Sequence, residues 1–488
     1  MEFLIGILAL PLILWGIIAL VKGSLHVSVA LFIVLTSCFP AEFFALDAIG
    51  LTWTLDRFWF LGLVAQYVVH SCRSQTVFKR MEFCDMAAGL FLLWVAARTF
   101  TQPLGSVVPK QPPTLMHFIN GYGIPAALYV ILRTAPLDRK QLRQAAWIAS
   151  AFGIYLAITA LLEVMHAWPL VFPRFISDPD LGIHFGRARG PYLQSVRLGM
   201  ALLAIWMLIA IGTVWLHPRR RIAWGQFVLV TPLFLTALFV TYTRSVWLAT
   251  AASLGVLTML GMRGVPRRLV IVCGLSGVLL VLGIKGPDLV AFKREYSAAE
   301  TRESTYMRAA FAYVSWQMFR DRPLTGFGFN QFQVYNPPYL ADRSTSIRLE
   351  SIRGYVHHNS YLSLLVDLGL IGVALFALAG FTFARQAWIL WSARGAPAWV
   401  RGIAMWGFSV GITHAIQMAF HEVSFSPFEN SLLLASLGLV VAAKQQFLLR
   451  PPYHALDQRS STTHQRGPIA KKVSAGSQAE DASPSTVA

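Results

Sequence analysis

Apolar runs of membrane-crossing length recur along most of the chain, separated by short polar connections. A bilayer-spanning helix needs about 20 predominantly apolar residues. Such runs fall near 3–21, 26–46, 57–71, 83–100, 114–132, 144–165, 196–216, 224–242, 245–262, 268–284, 360–384, 402–421 and 428–448. The pattern predicts an all-α polytopic membrane protein with about 12–13 transmembrane helices. Residues 285–358 form the one long interruption, between the tenth and eleventh runs. Within it Glu303 to Arg320 reads as a helix, because Met307, Ala310, Phe311, Val314 and Met318 give one apolar stripe. This segment is expected to pack as a small helical cap over the membrane domain. The organisation that follows is an N-terminal scaffold (1–165), a transmembrane region with arginine-bearing loops (166–284), the cap loop (285–358), C-terminal helices (359–449) and a tail (450–488). The first run lacks a basic leader and a small-residue cleavage site, so it reads as a retained span. The tail, rich in Ser, Ala, Gln and Lys, has little to bury and is expected to be disordered.

Composition agrees with that class. The 488 residues are 56% hydrophobic and 13% charged, with a mean hydropathy of +0.56, against about 25% charged in a typical globular domain. The net charge of +18 would suit nucleic acid, but its distribution argues otherwise. Basic clusters occupy alternate connections: Lys22; Arg73, Lys79 and Arg80; Arg133, Arg139, Lys140 and Arg143; Arg219 to Arg221; Arg263, Arg267 and Arg268; Arg385, Arg394 and Arg401; Lys444 and Arg450. By the positive-inside rule these face the cytoplasm, leaving the N-terminus and the remaining loops outside. Cys38, Cys72, Cys84 and Cys273 lie in or beside apolar runs without C-x-x-C spacing, so neither a disulfide framework nor a zinc site is inferred.

Arginines in outward loops run against the insertion bias and need another explanation. Arg174, Arg187 and Arg189 lie between 166 and 196, and Arg294, Arg302, Arg320, Arg322, Arg343 and Arg348 lie in the cap loop, where solvated surface roles suit them. Arg244, in Thr243-Arg-Ser-Val-Trp247, sits between two apolar runs with almost no loop to carry it into water, the position of a functional residue or of a snorkelling one beside Trp247. Arg187 and Arg189 are expected to face the same way along an extended segment, where two guanidinium groups would suit a diphosphate. In Tyr355-Val-His-His-Asn-Ser-Tyr-Leu362 a titratable cluster meets the start of an apolar run. Asn359 or Ser360 can cap that helix, and its positive N-terminal end discourages protonation of a nearby imidazole while attracting anions. The same residues also fit an ordinary membrane boundary.

These pieces, in this order, resemble the O-antigen ligase and O-antigen polymerase superfamily, bacterial envelope membrane glycosyltransferases of the GT-C type. The matching segments are Arg187-Ala-Arg-Gly-Pro-Tyr192 with Gln194, Thr243-Arg-Ser-Val-Trp247, Met318-Phe-Arg-Asp-Arg-Pro-Leu-Thr-Gly-Phe-Gly-Phe-Asn-Gln-Phe332, and His358-Asn-Ser-Tyr-Leu362 before Gly369-Leu-Ile-Gly372. They cover roughly residues 180–390. Gln194 and Ser195 depart from the asparagine-rich turn of many relatives. The resemblance implies transfer of a glycan from an undecaprenyl-diphosphate donor to an acceptor hydroxyl at the periplasmic face of the bacterial inner membrane. The acceptor would be lipid A-core in a ligase and a lipid-linked repeat in a polymerase. It implies no cofactor and no catalytic metal, with membrane lipids as surroundings and no nucleic-acid partner. His358 would be the base, Asn359 would orient it or the acceptor hydroxyl, and Arg187 or Arg189, Arg244 and Arg308 would hold the diphosphate. The reading from another class is a lipid-linked glycan transporter or flippase, with Glu42, Glu163, Asp367 and His414 as a proton relay.

Overall fold

The computed structural model describes residues 16–448, apart from residues 42, 49–50, 78–79, 107–111 and 216–220 and much of 263–297. Most of the first and of the tenth predicted run, with Cys273, Arg294, Glu42 and the tail, lie outside the described residues. The remaining apolar runs are helices: α1 (Leu25–Cys38), α2 (Leu55–Cys72), α3 (Phe83–Phe100), α4 (Thr114–Thr134), α5 (Arg139–Val164), α6 (Ser195–Thr213), α7 (Arg221–Phe239), α8 (Arg244–Gly261), the cap helix α9 (Ala298–Asp321), α10 (Ser360–Ser392), α11 (Ala398–Phe420) and α12 (Pro427–Phe447). Seven of these, α3 to α6, α8, α10 and α11, are long and apolar enough to cross a membrane. That count is of the described residues alone, where α1 and the apolar part of α7 are shorter and the first and tenth predicted runs are largely left out. A two-stranded antiparallel ribbon, Leu46–Ala48 with Leu51–Trp53, is the one departure from helix among the described elements.

Helix starts follow local chemistry. Asp138 caps α5 through the N–H groups of Lys140 and Gln141, and Glu82 with Asp85 forms a capping box on α3. α12 lies along α4, α10 along α3, and α11 against α8, α10 and α12. The main core joins α5, α6, α7, α8, α11 and α12 through Leu156, Leu198, Leu202, Phe234, Val246 and Met405. The cap has its own core. Ala310, Phe311, Val314 and Met318 of α9 are fully buried against Phe327, Phe332, Leu340, Leu349, Ile352 and Val366.

The two ends of the bundle differ. At one, where α3 begins and α4 and α12 finish, Arg133 pairs with Asp85 through Nε at 2.6 Å and Nη2 at 2.5 Å, and Lys444 pairs with Glu82 at 2.5 Å. Gln446 ties Ala135 and Leu137 to α12. The other end carries the loops at 165–194, 240–244, 322–359 and 421–426, and with them the predicted site residues.

Candidate active site

α10 begins where the sequence places its cap. Asn359 is the N-cap residue, and its Oδ1 accepts from the N–H groups of Tyr361 and Leu362 at 2.9 and 3.1 Å. Its Nδ2 donates to the Ala419 carbonyl at 2.9 Å. The amide is thus committed to the helix and to the end of α11. Ser360 strengthens the same junction: its Oγ donates to the His421 carbonyl at 2.9 Å and accepts from the Val423 N–H at 2.8 Å.

α10 is not one continuous helix. Its 33 residues would extend about 50 Å at 1.5 Å per residue, well beyond the hydrocarbon core of about 30 Å. Gly369, with φ of 66° and ψ of −170°, divides it into Ser360–Leu368 and Leu370–Ser392. The segment Pro323–Gly328 repairs the break from both sides. Leu370 and Ile371 donate to the Pro323 and Leu324 carbonyls at 2.9 and 3.2 Å, while Phe327 and Gly328 donate to the Val366 and Asp367 carbonyls at 2.8 and 2.9 Å. Backbone groups freed within a membrane domain must find such partners. A side chain at Gly369 would sit 2.3 Å from the Leu324 carbonyl oxygen, so the close approach requires glycine. The apolar run at 360–384 is thus a helix interrupted at Gly369. His358 heads a short half-helix, held by the Gly-Phe-Gly loop below and the 419–423 turn beside it.

His358 is exposed on one side and meets the edge of Phe311 on the other, with ring centroids 5.3 Å apart. Partial burial and the nearby Arg308 guanidinium hold its pKa below the usual 6.5. A neutral imidazole is therefore its ordinary state near neutral pH. His357 differs sharply. It is 3% exposed, its ring centroid lies 3.8 Å from that of Phe332, and its Nδ1 faces Ser315 Oγ at 3.5 Å. Burial, aided by His358, depresses its pKa to about 3. His357 belongs to the cap core, not to an ordinary membrane boundary.

The predicted arginines separate in the same way. Arg187 and Arg189 do not face one direction. Arg187 is half-buried, whereas Arg189 is 1% exposed and its guanidinium donates to the carbonyls of Leu181, Ile176 and Asp178 at 2.6 to 3.1 Å. The Arg189 and Gly190 N–H groups are held by Glu163 at 2.9 and 2.6 Å. Gly186 and Gly190, with φ of 95° and 56°, turn the segment out of the expected extended path. Arg244 is the first residue of α8 and is exposed, in place of the buried position its tight sequence context suggested. Trp247 stacks on Phe239 at an interplanar angle of 4°. Arg308 lies on the exposed side of α9, facing His358 electrostatically.

Contacts link these segments into one surface. Ala188 donates to the Val240 carbonyl at 3.2 Å, joining the Arg187 loop to the turn before Arg244. Ser245, next to Arg244, meets Nε2 of His421 at 3.1 Å, and His421 and Val423 hold Ser360. His421 therefore joins Ser245 to Ser360, the sequence neighbours of Arg244 and His358, a link that the sequence alone does not reveal. Glu422 Oε1 accepts from the Ser424 N–H at 2.9 Å and lies 3.2 Å from Ser360 Oγ, while Oε2 is buried without a hydrogen bond. Burial raises the Glu422 pKa. A His-Glu-Val-Ser stretch closing an apolar run was the available signal. Nearby, Arg197 pairs with Glu429 at 3.3 Å.

Among the described residues no group of three or more His, Cys, Asp or Glu is placed to hold a metal. Glu163 and Asp367 are spent on separate loops, Glu163 on Arg189 and Gly190 and Asp367 on the Asn330 N–H at 2.9 Å. No curated protein matches the chain. Residues 229–377, which include Arg244, Arg308, the Gly-Phe-Gly loop and His358, match the family model described as O-Antigen ligase. With its several membrane-length helices the chain is a multi-pass membrane protein, and its residues 229–377 carry the match to the O-antigen ligase family.

Proposed function

We propose that the protein is an O-antigen ligase-type glycosyltransferase that moves a glycan from undecaprenyl diphosphate to an acceptor hydroxyl at the periplasmic face of the inner membrane. The observation that carries this reading is the junction at His358. A pKa-lowered imidazole stands beside Arg308 and is fixed by Asn359 and Ser360 to the turn that touches Ser245, next to Arg244. The orientation is supported by the basic connections around Arg133, Arg139 and Lys140, which lie at the opposite, ion-paired end.

The acceptor oxygen attacks the anomeric carbon as the bond from that carbon to the diphosphate oxygen breaks. His358 takes the hydroxyl proton, and the electron pair of the broken bond leaves with undecaprenyl diphosphate. Arg244, Arg308 and Arg187 meet the growing phosphate charge. Arg189 holds the loop that presents Arg187. Ligase and polymerase share this chemistry and differ in acceptor.

Purified protein reconstituted with a lipid-linked glycan tests the reading. With lipid A-core as acceptor it is expected to release undecaprenyl diphosphate and joined glycan in equal amounts, and His358→Ala to slow release by about 10² to 10⁴. Normal release by that variant removes His358 as base. Transfer only to a second lipid-linked repeat identifies a polymerase. Movement of the donor across the membrane without cleavage identifies a transporter.

A further inference from the structure

At the ion-paired end a cavity of about 660 Å³ opens between the start of α1, the end of α2 and the α4–α5 connection. Its polar lining includes Lys22, Ser24, His26, His70, Arg73 and Gln141. The volume lies in the range of small-molecule sites, about 300 to 1,000 Å³.

His26 is the informative residue. It is 3% exposed, and its Nδ1 faces Gln141 Oε1 at 3.4 Å, an oxygen that also accepts from Ser24 Oγ at 2.9 Å. Nδ1 donates in that arrangement, which leaves the lone pair of a neutral ring on Nε2. That Nε2 is buried without a hydrogen bond, as is Nε2 of His70, and both residues line the cavity. A buried polar atom left unpartnered is costly and asks for an occupant.

Positive charge converges on the same space. Lys22 and Arg73 line it, and among the described residues neither takes part in an ion pair. The cavity also meets the first turn of α1, capped by Ser24, whose N–H groups favour an anion. One turn before Val21, Ile17 and Ile18 are half-exposed, as are Leu61 and Val68 on α2. An occupant here is offered cations, an unpartnered imidazole acceptor and an apolar flank.

We propose that this cavity is a binding site for an anionic phospholipid with a hydroxylated headgroup. The phosphate sits between Lys22 and Arg73 at the start of α1, a headgroup hydroxyl donates to His26 Nε2, and the acyl chains lie along the exposed apolar side chains. α5 alone separates the two ends of the bundle by 26 residues, about 39 Å, so the site is distinct from the surface around His358.

Native mass spectrometry of the full-length protein, titrated with phosphatidylglycerol, phosphatidylcholine or inorganic phosphate, tests the site. Phosphatidylglycerol is expected to remain bound where phosphatidylcholine does not, and Lys22→Gln and Arg73→Gln each to weaken it about fivefold. His26→Phe is expected to weaken it as well. Arg139→Gln with Lys140→Gln removes neighbouring charge outside the cavity and is expected to leave binding unchanged. Equal retention of phosphatidylcholine, or equal loss in the control pair, overturns the proposal. So does displacement of the lipid by inorganic phosphate, which would mark a soluble-anion site. The measurement is repeated in His358→Ala protein, where unchanged lipid binding separates this site from the glycosyltransfer reading.

Discussion

The two ends of the bundle spend their charged groups differently. At the Asp85 end, cation meets carboxylate directly: Arg133 with Asp85 and Lys444 with Glu82, each at 2.5 Å. At the His358 end, many titratable groups are held by neutral partners instead. Arg189 rests on carbonyls, Glu163 on backbone N–H groups, His421 on Ser245 and Glu422 on serines. Direct pairing neutralises charge and fixes helices. Neutral positioning fixes side chains and loops without bringing in a counter-charge, which is what the proposed site for an anionic leaving group requires.

The contrast breaks most decisively at Asp85. Removing one partner of a buried ion pair costs about 3 to 5 kcal/mol, because the other charge is left uncompensated. Asp85→Ala is expected to lower the unfolding midpoint and the yield of protein, while the molecules that remain folded transfer glycan at the normal rate. A thermal-shift assay beside a turnover assay reads both, and a catalytic loss without destabilisation would erase the distinction between the ends. Arg244→Ala is the converse case. An exposed arginine contributes little to folding, whereas loss of one charge-stabilising donor typically costs about 10² to 10³ in rate. Its midpoint should stay within a degree or two of wild type, about the effect of a minor surface change.

Sequence reasoning reached the parts of this arrangement that are local. The apolar stripe of α9 and the cap at Asn359 depend on neighbours within a few residues, and periodicity or capping chemistry reveals them, whereas His358 was set apart from His357 only by the family resemblance. What escaped it depends on contacts across the chain. His421 meets Ser245 across 176 positions and Ser360 across 61, and nothing in either segment specifies the other. The break at Gly369 was hidden for a related reason, since an apolar run containing glycine reads as continuous helix until the Pro323–Gly328 loop is seen to take up its backbone groups. Arg187 and Arg189 were indistinguishable by spacing alone. Two positive-φ glycines and Glu163 send one inward.

The cap gives a pH test of intermediate size. His357 folds with a pKa of about 3, against 6.5 when solvated. Between these values the unfolded chain binds a proton that the folded protein does not. Stability from this group is therefore complete above pH 6.5 and lost progressively as pH falls towards 3. At pH 5 the loss is about 2 kcal/mol relative to pH 7.5, visible as a lower midpoint that His357→Phe should abolish. His358, exposed on one side, contributes less to that slope. Its protonation acts on rate: activity should fall below pH 6.5 with an acidic limb that moves up in Arg308→Gln, since the guanidinium no longer opposes the imidazolium.

Ser360→Ala is the smallest change and the finest test of how position reaches chemistry. The hydroxyl makes no contact with His358 itself. It donates to the His421 carbonyl and accepts from the Val423 N–H, so its removal leaves a buried donor unpaired at a cost of about 1 to 3 kcal/mol. If the 419–423 turn serves to align the half-helix of His358 with Arg244, the loss should appear in kcat more than in KM, with the acidic limb of the pH profile unmoved. A fall in the unfolding midpoint with kcat intact would instead make the turn a fastening of the helix ends, the kind of work done at the Asp85 end.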